Sequence, residues 1–563
     1  MQNNSLWIIL QKMRIPFIVI IVTYTIAIVG LISINGVDAN GNAYHMTIFD
    51  ALYFISYTAT TIGFGETPYS FTYSQRLWVT FSIYLTVIGW FYGIGTLIGL
   101  LQNKLFLSEI ARVKFKRQVN HIRKKYIIVL GFNYVTNEII KKLLNNDIQV
   151  VVIEKSEERA NALILENYTP TVPVLVSDAH NANALELAGI AKSNCKAVVS
   201  LFEDDALNLR IAIVSRLLNK NIQLATKATT SSSVNNLKDV NVNVIANPFS
   251  IIANELKMAI KSPNLLKLEK WIYQIDTLDA HLEKLPVGKY IICGFGRLGR
   301  NIYQVLRHEN IEFIFIEIDE NQIKEIEEEE LDHFMVGDAD EKNILLKAGV
   351  KNATAIVAFT NNDTVNISIL ATAKKINENI ITIAREDEME DVSIFSNAQI
   401  DYLFMPSKIL VNKITNALIN PLSDIFARAI KSKDEHWASL LVKELMQRID
   451  ANPVLFELVI NTAQANQICD YIEASNEIAL SIFEISLHNR KLKNNVVPLL
   501  LKREGEIVVL PSLDTVLQLD DKLLLACDEN AQNDIEYIAQ NPYEFHYALS
   551  GEEKTLFKKG LFK

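Results

Sequence analysis

The sequence contains two apolar stretches long enough to cross a lipid bilayer, and these constrain the fold more than any other feature. They run from about Ile15 to Ile34 and from about Leu77 to Leu101, each close to the ~20 apolar residues that a spanning helix needs. The first is too long for the apolar core of a signal peptide, and no small-residue cleavage site follows it. We therefore predict two transmembrane helices at the start of the chain.

A short apolar segment and a glycine strip lie between these two spans. Residues Thr47 to Thr60 are apolar but too short to cross, so we predict a re-entrant helix. The strip that follows has the pattern T-x-G-F-G and consists of Thr61, Ile62, Gly63, Phe64 and Gly65. Backbone carbonyls of such a strip can line a narrow pore and replace the hydration shell of potassium, and glycine allows the backbone angles that this requires. The alternative is a glycine turn in an extracellular loop.

With this strip the chain resembles the tetrameric potassium channels, in particular the prokaryotic ones with two transmembrane helices per subunit. Ile62 stands where the family usually has Val, Phe64 where it has Tyr, and Glu66 where it has Asp. The resemblance implies a homotetramer in membrane lipid, because a conducting pore needs several copies around one axis. It also implies K⁺ as the permeant ion.

The second span contains four glycines, Gly89, Gly93, Gly95 and Gly99. Glycine in a membrane helix either allows close helix packing or lowers the cost of a bend. In the channels that this chain resembles, the inner helix bends near a glycine to open the gate. Gly89 and Gly93 are our hinge candidates, and packing is the alternative explanation for at least two of the four.

The basic residues predict the orientation of the spans. Lys12 and Arg14 precede the first span, and Arg76 is the only Lys or Arg in the loop between the spans. Eight basic residues follow the second span: Lys104, Arg112, Lys114, Lys116, Arg117, Arg123, Lys124 and Lys125. The positive-inside rule then predicts a multi-pass protein of the inner (plasma) membrane with both termini in the cytoplasm. Because no helix carries regularly spaced arginines, we expect no voltage sensor.

An internal repeat organises the rest of the chain. Segments such as Lys125–Phe132 recur in the same order as Lys289–Phe295, at a separation of about 160 residues, which indicates duplication of a domain. Each copy alternates short apolar strands with helical stretches, the pattern of a parallel sheet covered by helices on both faces. Each copy also ends with a strand, a proline and an amphipathic helix, beginning at Pro248 and at Pro406.

Both copies resemble the Rossmann-like RCK domains (regulators of potassium conductance, also called TrkA-N or KTN domains). We therefore predict a membrane all-α pore of two transmembrane helices plus a pore helix, followed by two α/β Rossmann-like RCK N-lobes and a small α+β RCK C-lobe. In the family, the helix after the proline swaps across a dimer interface. The predicted boundaries are 1–101 for the pore domain, 102–124 for a linker, 125–265 for the first N-lobe, 266–287 for a connector, 288–425 for the second N-lobe, 426–450 for a connector, 451–530 for the C-lobe and 531–563 for a C-terminal tail.

The second copy has a complete dinucleotide fingerprint after its first strand: Gly294, Phe295, Gly296, Arg297, Leu298 and Gly299. The first glycine would make the tight turn, the second would admit the phosphates, and the third would let the helix pack on the strand. The phosphates would then meet the free N–H groups at the start of that helix. The alternative is a glycine turn that serves packing alone.

An acidic residue predicts which nucleotide this fingerprint would bind. Glu317 ends the next strand, about 20 residues on, where an acid takes the ribose hydroxyls and repels a 2′-phosphate. This favours NAD or an adenine nucleotide over NADP. By resemblance, Asp338 would lie near the adenosine and Arg297 over the phosphates. Weaker candidates at later strand ends are Thr360, Asp363 and Arg385.

Other candidate ligands are less well supported by the sequence. In the first copy, Asn133 replaces the middle glycine, so we expect weak dinucleotide binding or none there. Calcium regulation is a further expectation from resemblance, but the acidic run Glu327–Glu330 fits a solvated face better than a site with converging oxygens. The net charge of −10 argues against nucleic acid as a partner. The isolated cysteines fit small core residues in a reducing compartment.

These patterns predict a potassium channel gated by an intracellular nucleotide, with NAD or an adenine nucleotide as regulatory ligand. Conduction itself needs no catalysis, so we expect no enzyme. One alternative is a nucleotide-dependent enzyme with a membrane anchor, and another is the regulatory nucleotide-binding subunit of a potassium transport system. The third is a cation channel without potassium selectivity.

Overall fold

The computed structural model describes residues 4–280, 284–307, 309, 311–324, 326–385, 400–489 and 491–554. It divides the chain into two compact units, Met1–His121 and Ile122–Lys563. The first unit is helical and the second is α/β followed by α+β, as predicted.

In the first unit, residues 4–121 form four helices and one small hairpin. The helices are α1 (Asn4–Ser33), α2 (Ile48–Ala59), α3 (Tyr73–Leu101) and α4 (Lys104–His121), and the hairpin pairs β1 (Gly36–Val37) with β2 (Ala43–Tyr44). Met13–Ser33 of α1 and the whole of α3 are long and apolar enough to span a membrane. Thr47 caps the N-terminus of the short helix α2, because its side chain accepts the N–H of Asp50. The predicted pair of spans with a short apolar helix between them is confirmed.

Glycines allow α1 and α3 to approach closely. A methyl group at Gly30 would lie 2.0 Å from Cε2 of Trp78, whose indole N–H donates to the carbonyl of Ala27 at 3.0 Å. A methyl group at Gly89 would lie 2.8 Å from Oγ1 of Thr23. A methyl group at Gly93 would lie 2.7 Å from a methyl carbon of Ile20. At Gly95 and Gly99, by contrast, it would meet no atom of the chain within 4 Å. Gly89 and Gly93 are therefore packing glycines, and their role as hinges stays a prediction.

The second unit begins with two parallel six-stranded sheets of the same strand order. The first sheet is arranged β5-β4-β3-β6-β7-β8 and the second β11-β10-β9-β12-β13-β14. In the first, the strands are β3 (Tyr126–Leu130), β4 (Gln149–Glu154), β5 (Val174–Val176), β6 (Cys195–Ser200), β7 (Gln223–Lys227) and β8 (Val244–Ala246). In the second, they are β9 (Tyr290–Cys293), β10 (Phe313–Glu317), β11 (Phe334–Val336), β12 (Ala355–Ala358), β13 (Ile381–Arg385) and β14 (Tyr402–Phe404). The shared order confirms the duplication.

Helices cover both sheets because the central strands are apolar along their whole length. Every residue of β3 and of β9 is buried, which is typical of a parallel strand with helices on both faces. The helices of the first copy are α5 (Tyr134–Asn145), α6 (Glu157–Leu165), α7 (Ala182–Leu187), α8 (Asp205–Leu218), α9 (Ser231–Asp239), α10 (Pro248–Lys261) and α11 (Pro263–Ile272). The described helices of the second are α12 (Arg297–Leu306), α13 (Lys342–Lys347), α14 (Asp363–Ile376) and α15 (Pro406–Ile419).

The two copies exchange their last crossover helices within the chain. Helix α10 of the first copy packs against α12 of the second, and Ile252 and Leu256 share a core with Leu298 and Ile302. Reciprocally, α15 of the second copy packs against α5 of the first, so that Leu410, Val411 and Ile414 share a core with Ile139, Ile140 and Leu143. This exchange makes the two copies an internal pseudo-dimer.

The described part of the chain ends in a smaller α+β lobe with one antiparallel sheet of order β15-β18-β16-β17. Its strands are β15 (Val454–Val459), β16 (Val496–Arg503), β17 (Glu506–Val509) and β18 (Lys522–Cys527). Two helices precede the lobe, Pro421–Ala429 and Glu435–Arg448. Three helices belong to it, Asn466–Glu473, Glu529–Gln540 and Pro542–Ser550. Ile535, Ile538 and Phe545 of the last two helices are buried in the same core as the sheet. The predicted C-terminal tail, which begins at residue 531, is thus helical as far as Ser550, and its apolar side chains share the core of the lobe.

The four cysteines are all free and buried.

Candidate functional site

The glycine strip between the two spanning helices has an alternating backbone. Thr61, Gly63 and Gly65 have positive φ angles of 64°, 68° and 75°, whereas Ile62 and Phe64 between them lie outside the left-handed region. A methyl group at Gly63 or Gly65 would meet no atom of the chain within 4 Å. Backbone conformation, and not packing within the chain, therefore favours glycine at these positions. Alternation of this kind turns successive carbonyls toward one side of the strip.

Helix α2 holds the strip at both ends. The N–H groups of Ile62 and Gly63 donate to the carbonyl of Tyr57 at 2.9 and 3.2 Å. At the other end, the hydroxyl of Tyr57 donates to the carbonyl of Glu66 at 2.7 Å, and the hydroxyl of Tyr53 donates to its carboxylate at 3.0 Å. These two tyrosines were not among the predicted site residues, since nothing in their local sequence shows which backbone groups they reach.

The strip is exposed in the single chain. The side chains of Ile62 and Phe64 are 61% and 66% exposed, and α3 also presents apolar side chains such as Tyr84 and Ile88. Apolar surface of this extent marks contact with lipid or with further protein.

The second candidate site is a cavity of about 980 Å³ at the carboxyl ends of the strands of the second copy. Such an edge is the usual ligand-binding position of an open parallel sheet. Of the predicted residues, the cavity is lined by Gly294, Gly296, Arg297, Leu298, Glu317, Asp338, Thr360 and Arg385. Phe295 and Gly299 do not line it. Phe295 is buried in an aromatic cluster, and its N–H donates to Glu317.

The three glycines of the fingerprint have different surroundings. Gly294 has φ of +103°, and its N–H donates to the carbonyl of Ile316 at 2.9 Å, which makes the tight turn. A methyl group at Gly299 would lie 2.3 Å from the carbonyl oxygen of Gly294, so the helix could not pack there with a larger residue. Gly296 has no atom within 4 Å of such a methyl group. Packing within the protein therefore does not require glycine at position 296. The open space beside this residue leaves room for a ligand.

Glu317 supports the loop from the end of β10. Its carboxylate is buried and accepts the N–H of Phe295 at 2.5 Å and the N–H of Asp319 at 3.0 Å. The acid thus holds the glycine loop while it lines the cavity, in the position where ribose hydroxyls would reach it.

The equivalent loop of the first copy is closed by its own side chain. Asn133 caps α5: its Oδ1 accepts the N–H of Thr136 at 3.0 Å, while the Thr136 hydroxyl accepts the N–H of Asn133 at 2.8 Å. Gly296, the equivalent residue of the second copy, makes no side-chain hydrogen bond at the start of α12. The helix N–H that is bonded to Asn133 in the first copy thus has no equivalent side-chain acceptor at position 296 of the second, where a phosphate would meet it.

The acids of the first copy are paired with cations. Glu154 accepts the guanidinium of Arg159 at 2.9 Å in addition to the N–H of Phe132 at 2.6 Å. Asp178 lies 3.2 Å from the ammonium of Lys155 and 2.6 Å from Nδ1 of His180. Burial tends to raise the pKa of Asp178, but these contacts outweigh it and hold the pKa below its ordinary value. Both acids that would contact a nucleotide are thus engaged.

The first copy nevertheless contributes to the cavity of the second. Val135, Glu203, Lys227, Pro248 and Phe249 line it from the first copy. The sequence analysis missed these residues, although the repeat itself carried a signal: Lys227 and Arg385 end equivalent strands, and Pro248 is equivalent to Pro406.

Within the described part of the chain, no group of three or more His, Cys, Asp or Glu side chains could hold a metal ion. Glu327, Glu328 and Glu329 of the acidic run are exposed, as a solvated face would be. Calcium regulation stays a prediction without a described site.

Comparison with known proteins agrees with this architecture. The TrkA-N domain family matches residues 127–248 and 290–406. The chain is 31% identical over 216 residues to "Probable potassium channel protein 2" of Methanocaldococcus jannaschii. The aligned segment covers 38% of this chain and 60% of that protein. It is 26% identical over 259 residues to "Trk system potassium uptake protein TrkA homolog" of Pyrococcus abyssi, which covers 45% of this chain and 98% of that protein.

Among solved structures, the "GsuK channel bound to NAD" is similar at 14% identity with a TM-score of 0.48, covering 94% of this chain and 98% of that chain. The chain spans 60%, 38% and 49% of the length of three of the relatives that it matches, among them the potassium channel proteins of M. jannaschii. The two matched segments coincide with the two parallel-sheet copies. This chain therefore carries two TrkA-N domains in tandem, and its resemblance to the potassium channel proteins with RCK domains is confirmed.

Proposed function

We propose that this protein is a potassium channel whose pore is opened or closed by an intracellular nucleotide. The observation that carries the proposal is the backbone of the strip Thr61–Gly65, which alternates in φ between two helices of membrane-spanning length. Carbonyls turned to one side can replace the hydration shell of K⁺. The relative from M. jannaschii, named a probable potassium channel, supports this assignment.

Four copies around one axis would complete the pore. The exposed side chains of Ile62 and Phe64 would then be covered by neighbouring subunits, and the outer faces of α1 and α3 by lipid. The basic residues after α3 support an orientation with both termini in the cytoplasm, and the tetramer would lie in the inner (plasma) membrane.

The cavity of the second TrkA-N copy would hold the regulatory nucleotide, either NAD or an adenine nucleotide. Gly296 leaves room for its phosphates, and Glu317 lies where ribose hydroxyls would be. The ligand acts by linkage: it shifts the gate only as far as its affinity differs between the open and closed states. Helix α4 follows α3 directly in the sequence and leads to β3, so the shift would be transmitted along it.

Flux through the reconstituted protein tests the proposal. We expect proteoliposomes to take up rubidium, and Gly63→Ala to abolish the uptake while the oligomer stays intact. Gly41→Ala is the matched control, because Gly41 also has a positive φ, of 85°, and open space around it, but lies outside the strip. Equal uptake by both variants would refute the filter assignment.

The regulatory subunit of a potassium transport system is the second candidate, which the similarity to the TrkA homolog of P. abyssi favours. Such a subunit would conduct nothing by itself, so rubidium uptake by the purified chain separates the two candidates. A cation channel without potassium selectivity would pass sodium equally well. Binding and conduction need no bond to be made or broken, so the proposed function involves no enzymatic step.

A further inference from the structure

The nucleotide cavity is two-sided, and its two sides come from equivalent parts of the repeat. Glu203 follows β6 as Asn361 follows β12, and both line the cavity. Lys227 ends β7 as Arg385 ends β13, and Phe249 is the second residue of α10 as Ser407 is of α15. The helix exchange therefore builds one cleft around the pseudo-twofold relation of the two copies.

This symmetry is broken at the phosphate-binding loop. Only the second copy offers an uncapped helix start, because Asn133 closes the loop of the first. Arg297 stands beside the open loop, with its guanidinium 4.9 Å from the centre of the Phe249 ring. A phosphate group bound at Gly296 would therefore have the first copy on its other side.

Lys227 is the cation that the first copy presents to this cleft. Its side chain is 11% exposed and is paired with Glu203, whose side chain is 75% exposed. A buried cation keeps an anionic partner because an unpaired buried charge is costly. Glu203, by contrast, loses little when it turns into solvent, since its carboxylate is already largely hydrated.

We propose that Lys227 binds a phosphate of the nucleotide held by the second copy. In the absence of nucleotide, Glu203 forms an ion pair with Lys227, and the phosphate takes the place of the Glu203 carboxylate when the nucleotide binds. The inference rests on the proposed nucleotide site and names its ligand class: an adenine nucleotide with at least two phosphates, one at the Gly296 loop and one at Lys227. A monophosphate fills the first position only.

The consequence is that one ligand joins both copies of the domain. The affinity of the ligand then depends on how the two copies are arranged. A gating ligand needs such a dependence, because it must bind one conformation of the protein more tightly than the other. The Glu203–Lys227 ion pair opposes binding, because the ligand must displace it.

Titration calorimetry on the full-length protein in detergent, with ADP and AMP as probes, tests this inference. We expect Lys227→Met to weaken ADP binding by about tenfold or more, the change that ~1.4 kcal/mol produces, and to alter AMP binding little. Glu203→Gln should strengthen ADP binding, and the double variant should match Lys227→Met. Lys220→Met and Glu186→Gln, both exposed in the first copy and outside the cavity, serve as controls.

The outcomes separate this inference from the proposed function. If the unaltered protein binds neither ADP nor AMP, both the site and the inference are wrong. If it binds ADP but Glu203→Gln and Lys227→Met bind with unchanged affinity, the nucleotide site stands and the role of Lys227 is refuted. Because Glu203 is exposed and Gln has nearly its shape, that variant gives an answer even if Lys227→Met fails to fold.

Discussion

Replacing Gly296 with Ala should separate ligand binding from folding at the glycine loop. The residue has φ of −70° and ψ of −158°, an extended conformation that alanine also adopts. The added methyl group would meet no protein atom within 4 Å. Since alanine is a poorer helix cap than glycine, the expected loss of stability is below about 1 kcal/mol.

The same methyl group would stand where the phosphates approach the start of α12. Loss of one charge-assisted hydrogen bond costs about 1.5–3 kcal/mol, so we expect ADP or NAD affinity to fall by roughly 10- to 100-fold. Titration calorimetry gives the affinity, and thermal unfolding of the ligand-free protein gives the stability.

Gly299→Ala makes the same substitution in the same loop but should mainly lower folding stability. Its methyl group would lie 2.3 Å from the carbonyl oxygen of Gly294, so the loop and helix must move apart, at a cost of about 1–3 kcal/mol. Unchanged nucleotide affinity in Gly296→Ala would refute the reasoning, as would a loss of folding stability as large as that of Gly299→Ala.

Three further substitutions test other parts of the structure. Gly30→Ala should destabilise the first unit by about 1–3 kcal/mol in detergent melting, because the methyl group collides with Trp78, whereas Gly99→Ala should melt like the unaltered protein. Asn133→Ala should lower the unfolding free energy by about 1 kcal/mol through loss of the cap. The number of nucleotides bound per chain should not change, because Glu154 and Asp178 of the first copy stay paired with cations. Burial raises the pKa of Glu457 to about 7, although its carboxylate accepts N–H groups at the start of the helix Pro421–Ala429. A folded-state pKa above the unfolded value of 4.5 means that the folded state binds more protons between these values, so stability should fall as pH rises from about 4.5 to 7. Glu457→Gln should remove this slope in pH-dependent melting curves.

Local patterns in the sequence were sufficient to predict the architecture of the chain. Apolar length alone predicted the spans that α1 and α3 form, because the bilayer thickness sets that length. The repeat predicted two equivalent sheets, since strands buried on both faces are apolar throughout. The fingerprint predicted the tight turn at Gly294 and the close helix packing at Gly299, because each depends on one residue and its immediate neighbours. The approach of phosphates to Gly296 stays a prediction.

The residues of the first copy that line the proposed nucleotide cleft could not be predicted from local patterns in the sequence. Lys227, Glu203 and Phe249 enter the cavity because α10 and α15 are exchanged between the copies, and this exchange brings together residues that are far apart in the sequence. Tyr57 was missed for the same kind of reason, since its hydroxyl reaches the carbonyl of Glu66 only after the strip has folded back along α2.

Single-channel recording in a planar bilayer with potassium on one side and sodium on the other tests the central claim most directly. The account predicts a current carried by K⁺ in large excess over Na⁺, with an open probability that changes when NAD or ADP is added to the side that bears the TrkA-N domains. Equal permeability to the two ions would contradict the filter formed by Thr61–Gly65. Absence of any current from the purified chain under every nucleotide condition would contradict the channel itself.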